Sequence, residues 1–138
     1  MAHDVIEECR RRDIDYIVAP YEADAQLAYL AQTKMADVIV TEDSDLIPFG
    51  CEKVLFKMDR AGFGQLYERS KLGDCFGAAA DRFNTLPKLP SYLKMPSLSV
   101  SSQYIEDFLK AENTFRYQLV FCPERKELVP LNPYDPWV

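Results

Sequence analysis

Apolar residues along the chain recur first at helical spacing and then in short strand-like runs. Ala2, Val5, Ile6 and Cys9 fall at i, i+3, i+4 and i+7, which sets them on one face of a helix over residues 2–12. Arg10, Arg11 and Arg12 close that helix, and cations suit a helix C-terminus. Residues 15–19 are short, rich in β-formers and stopped by Pro20, so they predict a strand. From Glu22 to Thr33 the pattern turns helical, with Ala23, Leu27, Leu30 and Ala31 on one face. Residues 36–41 predict a second apolar strand. Strand, helix and strand make a βαβ unit, whose two strands are expected to be parallel neighbours. Residues 53–59 alternate as a third strand. Gly62 and Gly64 then supply the turn before Gln65, Leu66 and Tyr67.

Beyond residue 73 the signals weaken. Gly73, Gly77, Pro87, Pro90 and Pro96, with several serines, make residues 73–100 loop-like. Order returns at Ser101 and Ser102, N-caps for a helix with Tyr104, Ile105, Phe108 and Leu109 along its buried face. The tail from Pro123 to Val138 holds four prolines and is expected to wrap the surface. The implied fold class is α/β, a mostly parallel twisted sheet with flanking helices. Residues 1–72 form its first region, 73–100 a junction, and 101–138 a C-terminal helix and tail.

Composition narrows the function. A chain of 138 residues suits one domain, and 48% hydrophobic with 28% charged residues is an ordinary globular balance. No stretch reaches the roughly 20 apolar residues of a membrane helix. Residues 1–4 run straight into a charged helical pattern, which opposes a secretory signal. Cys9, Cys51, Cys75 and Cys122 are scattered without CxxC spacing, and His3 is the only histidine. Zinc sites and disulfide frameworks are disfavoured, and a reducing interior is favoured. The net charge of −6 counts against nucleic acid, because phosphate binding leaves a basic footprint. A carboxylate cluster built for metal, or a basic surface carried by other parts of a longer protein, would reconcile the two.

Two acidic pairs carry the candidate chemistry. Glu22 and Asp24 come just after the first predicted strand, and Asp43 and Asp45 just after the second. Sites in open α/β sheets form outside the C-terminal strand ends, so both pairs are expected at one edge. Four clustered carboxylates repel one another unless cations neutralise them. Oxygen donors without histidine or cysteine favour Mg²⁺ or Mn²⁺ over zinc. Two such ions roughly 3.5–4 Å apart are a recurrent device for phosphodiester hydrolysis. The alternative is plain: Glu22 and Asp24 suit a helix's first turn, and Thr41, Asp43 and Ser44 suit helix caps. Spacing alone leaves these two readings evenly balanced. Glu42 reads as an exposed side chain, and Lys53, Lys57 and Arg60 as a solvated strand face. Gly62-Phe63-Gly64 reads as a hairpin turn. Tyr16, Tyr21 and Tyr29 fit core edges as well as base stacking.

The run from Val18 to Leu30, with Pro20-Tyr21-Glu22-Ala23-Asp24-Ala25-Gln26 at its centre, and the run Thr41-Glu42-Asp43-Ser44-Asp45-Leu46 resemble the internal conserved region of the flap endonuclease superfamily. That superfamily includes the xeroderma pigmentosum group G nucleases and the exonuclease 1 branch. Tyr21 before Glu22, Phe49 to Asp59, Tyr92 to Met95 and Asn113 to Phe121 are most similar to the exonuclease 1 branch. The resemblance implies a twisted α/β sheet whose carboxylates bind two divalent ions, Mg²⁺ with Mn²⁺ able to substitute. Glu22 and Asp24 would help hold one ion, Asp43 and Asp45 the other. It implies 5′→3′ exonuclease and 5′-flap cleavage of DNA in the nucleus. The setting implied is mismatch repair and recombination, with mismatch-repair proteins as partners and no membrane.

The same resemblance implies further aspartates from a region upstream of residue 1, and a helical DNA-binding hairpin with a Gly-Cys-Asp-Tyr run. Neither is in this sequence. Residues 72–76 resemble the approach to that hairpin and residues 89–95 the segment beyond it, so a deletion is expected at residues 77–88. The expectation is a chain at best weakly active alone. The other reading is a non-catalytic fragment that binds DNA or a partner.

Overall fold

Helix α1 (Ala2–Arg11) forms where the apolar spacing places it, closed by Arg10 and Arg11. Its apolar face is only partly covered: Ile6 and Cys9 are half-buried, no residue of α1 is fully buried, and Val5 is 60% exposed. The computed structural model describes residues 2–76, 93–95 and 97–134. The expected deletion point at residues 77–88, most of the junction and residues 135–138 lie outside the described residues.

Residues 15–19 correct the sequence reading, because they form no strand. A strand exists only as a ladder, and no ladder includes this segment. Ile14, Tyr16, Ile17, Val18 and Tyr21 are left exposed. Helix α2 (Ala23–Gln32) starts after Glu22, whose extended backbone makes it the N-cap. Its buried face also differs from expectation. Ala25, Gln26, Ala28, Tyr29 and Ala31 are buried, Leu27 and Leu30 are half-buried, and Ala23 is exposed. Small residues let α2 approach its neighbours closely. Leu27 and Leu30 instead line an open groove of about 610 Å³ shared with Tyr16, Ile17 and Met35.

Strand β1 (Ile39–Thr41) pairs in parallel with β2 (Lys53–Phe56), Ile39 opposite Val54 and Thr41 opposite Phe56. The parallel neighbour of β1 is therefore β2, not residues 15–19. Strand β3 (Gln65–Glu68) returns antiparallel to β2, in the order β1-β2-β3. The turn between them is closed by Asp59, whose Oδ1 accepts from the Ala61 and Phe63 amides at 2.8 and 3.0 Å. Gly64 sits where a side chain has no room. A Cβ there would stand 2.7 Å from the Phe56 carbonyl oxygen and 3.0 Å from Leu55 Cδ1. We expect Gly64→Ala to destabilise the chain by about 1–3 kcal/mol, read as a lowered urea midpoint. An unchanged midpoint would show that the hairpin yields at no cost.

The short helix α3 (Leu72–Phe76) ends the first region. Helix α4 (Ser102–Tyr117) is capped by Ser101, whose hydroxyl accepts from the Tyr104 amide at 3.1 Å. Ile105 and Phe108 are half-buried, whereas Tyr104 and Leu109 are exposed. Phe115 meets Phe49 edge-on at 4.8 Å, which ties α4 to the first region. The tail is more regular than its prolines suggest. Strands β4 (Leu119–Cys122) and β5 (Glu127–Pro130) form an antiparallel hairpin, with Val120 opposite Val129. The class is α/β, and the described ladders comprise one parallel and two antiparallel pairs. One core joins α2, β1, the turn after it, β2 and the β4–β5 hairpin through Ala25, Ala28, Ile39, Leu46, Val54 and Val120.

Candidate metal centre

Two local devices aim the carboxylates. After β1 the chain turns through a one-turn 3₁₀ helix (Ser44–Leu46). Thr41 Oγ1 accepts from the Asp43 amide, and Asp43 Oδ1 accepts from the Asp45 amide, both at 3.0 Å. Leu46, fully buried, anchors the turn in the core. The second device is the first turn of α2, in which Gln26 N–H donates to the Glu22 carbonyl at 3.4 Å. It carries Asp24.

These devices bring Asp24, Asp43 and Asp45 together, with one oxygen of each within 4.8 Å of the others. Glu22, at the N-cap, is exposed and outside that triplet. Its charge still reaches Asp24. Three of the four residues picked out in the sequence thus converge, and the fourth flanks them. Glu42, Lys53, Lys57 and Arg60 are exposed or only partly covered, as expected of a solvated face. The capping alternative also holds in part, since Asp43 caps the 3₁₀ turn with one oxygen. A carboxylate has two, so capping and cation binding are compatible.

Electrostatics favour a cation here. The Asp24 carboxyl is raised above its ordinary value, by burial first and then by Asp43, Asp45 and Glu22. A positive ion removes that penalty. Nearby Cys51 is fully buried, and burial pushes its thiol up to about 11, with Asp24 adding to the shift. It stays protonated at neutral pH, which leaves an all-oxygen donor set suited to Mg²⁺ or Mn²⁺.

The raised Asp24 value has a sign that can be tested. The folded chain holds this proton more tightly than the unfolded chain. The group's contribution to stability is therefore present at low pH and lost as pH rises through its folded value. In chelator, Asp24→Asn is expected to be more stable than wild type at pH 7. The gap should close below about pH 3.9, where the aspartate is protonated in both states. Urea midpoints across that range check it, and a gap of opposite sign at pH 7 would refute the repulsion.

Sequence reading missed Gln26 and the seam it belongs to. Its amide nitrogen donates to the Phe121 carbonyl at 2.9 Å, and its amide oxygen accepts from the Phe121 N–H at 2.8 Å. Beside it, the Tyr29 hydroxyl and then the Arg125 amide hold the Cys122 thiol down at about 7. The available signal was a polar residue, Gln26, set in the alanine-rich run from Ala23 to Ala31.

Comparison with known proteins gives three findings. The family described as XPG I-region matches residues 13–89. Exonuclease 1 of Danio rerio is 42% identical over 97% of this chain, which covers 22% of that protein. Exonuclease 1 of Xenopus laevis is 41% identical over 97% of this chain, covering 24% of that protein. The chain therefore spans about a quarter of the length of these relatives. The Danio rerio alignment runs over 174 positions, whereas 97% of 138 residues is about 134, so about 40 positions have no counterpart here. Among solved structures, the catalytic core of Rad2 in complex with DNA substrate is similar at 34% identity and a TM-score of 0.54. That match covers 62% of this chain and 26% of that one.

Proposed function

This chain belongs to the XPG I-region family, and from that footing we propose that it is the carboxylate-bearing part of a divalent-metal-dependent DNA nuclease. The observation that carries the reading is the convergence of Asp24, Asp43 and Asp45 from two separate elements onto one point. The activity proposed is 5′→3′ exonuclease with 5′-flap cleavage, serving mismatch repair and recombination in the nucleus beside mismatch-repair proteins. Relatives named Exonuclease 1 and a Rad2 core bound to DNA support that substrate class. Among the described residues no helix is long and apolar enough to cross a membrane.

The donor set fits Mg²⁺ or Mn²⁺. Bound there, such a cation supplies Lewis-acid stabilisation of charge on phosphate oxygens. The protein's share is positional. Asp43 and Asp45 stand on one hydrogen-bonded turn and Asp24 on the first turn of α2, with Glu22 flanking. Glu22 and Asp24 would serve one ion position, Asp43 and Asp45 the other. Protonated Cys51 near Asp24 keeps sulfur out of the set.

The second reading is a fragment that binds DNA or a partner without cleaving, favoured by the roughly 40 alignment positions missing here. A chimera separates the two. Residues 13–72 replace the matching segment of a full-length family nuclease, which is then offered a 5′-flap duplex with Mg²⁺. Cleavage that Asp43→Ala abolishes supports the nuclease reading. A folded chimera that binds the duplex and leaves it intact would favour the binder.

A further inference from the structure

Gln26 is the polar side chain buried among the described residues, at 3% exposure. Its amide makes both hydrogen bonds that a neighbouring strand would make to Phe121 in β4. Elsewhere the seam that joins α2 to β4 has the Tyr29 hydroxyl against the Cys122 thiol, while Ala25 and Ala28, fully buried, offer only methyl groups. Methyl groups hold a helix against a strand but resist sliding weakly. Two opposed hydrogen bonds to a single residue fix both translation and rotation.

The same residue closes the site from inside. Its backbone N–H donates to the Glu22 carbonyl, so it completes the turn on which Glu22 and Asp24 stand. A slip of α2 by one residue moves that turn about 1.5 Å along the helix axis. Sites of this kind need their groups within about 0.5 Å of the productive arrangement. We infer that Gln26 is a positioning residue that sets the register of α2 on β4 and thereby the placement of Asp24 against Asp43 and Asp45. This deepens the metal-site reading and rests on it.

The test is Mn²⁺ binding by the purified 138-residue chain, measured through the free-Mn²⁺ paramagnetic resonance signal. Gln26→Met keeps the side-chain length and loses both hydrogen bonds. Its Mn²⁺ dissociation constant is expected to rise on the order of 10-fold. Val129→Ala removes buried methyl groups from β5 and leaves both Gln26 hydrogen bonds to Phe121 in place. It should lower Tm while leaving the dissociation constant within about twofold, a spread of about 0.4 kcal/mol that cannot mimic a 10-fold effect. Should Gln26→Met melt without cooperativity, Gln26→Asn serves in its place. It keeps the amide on a stem one methylene shorter, and it should weaken binding in the same direction. A dissociation constant like wild type in the folded Gln26 variant, with binding lost in Asp43→Asn, overturns the positioning role and leaves the site standing. Wild-type binding by Asp43→Asn overturns the carboxylate site itself, and the positioning role with it.

Discussion

Asp43→Asn is expected to abolish the rise in melting temperature that Mn²⁺ produces in the wild-type chain, without lowering the metal-free melting temperature. The substitution keeps an oxygen in the Oδ1 position, so the 3.0 Å hydrogen bond from the Asp45 amide survives. It removes one of the charges that raise the Asp24 carboxyl. Metal-free, the variant should therefore melt at or above wild type. With Mn²⁺ at about 100 times the dissociation constant, a chain that binds only when folded gains about 2.7 kcal/mol. For a domain of this size that is a shift on the order of 10 °C. The shift should be present in wild type and absent in Asp43→Asn. Asp43→Ala should lose the shift too, and a further ~1 kcal/mol with the cap. A shift retained in Asp43→Asn would mean that Mn²⁺ acts elsewhere.

Leu46→Ala should give the largest loss of stability, about 2–5 kcal/mol, against a total of about 5–15 kcal/mol for a domain of ordinary stability. Leu46 is fully buried in the core cluster with Ala25, Ala28, Val54 and Val120. Around it the chain is closely hydrogen-bonded: the Cys51 amide donates to the Leu46 carbonyl at 3.2 Å, and the Phe49 amide to the Asp45 carbonyl at 3.3 Å. A cavity at this position loosens the turn that presents Asp43 and Asp45. Stability and the Mn²⁺ shift are thus expected to fall together. Urea denaturation read beside the Mn²⁺ melt checks both. A loss under about 1 kcal/mol would show that the turn does not depend on the Leu46 anchor.

Helix α1, helix α2, strands β1 and β2 and the turn at Gly62 were legible in the sequence because each rests on local patterns. Helical spacing marked Ala2 to Cys9, alternation marked Lys53 to Phe56, and Ser101 marked the start of α4. The acidic pairs were legible for a related reason. Asp43 and Asp45 do follow a strand, whereas the strand expected before Glu22 and Asp24 does not form and that pair stands only at the opening of α2. The contribution of a pairing partner was not legible. Residues 15–19 have the composition of a strand, but without another backbone to pair with they remain outside any ladder, with most of their apolar side chains exposed. The β4–β5 hairpin was hidden by Pro123 and Pro130, which sit at its turn and at its outer end, where a missing N–H matters little. The buried face of α2 was decided by its packing neighbours, so Ala25 and Ala28 took the place expected of Leu27 and Leu30. Gln26 shows the division most clearly. Its type and position are local facts, but its partner Phe121 lies 95 residues away. Local pattern alone was enough to say which carboxylates could meet. That Asp24, Asp43 and Asp45 do meet while Glu22 stands aside is a fact of the folded chain, because packing, and not spacing along the chain, sets the distances between separate elements.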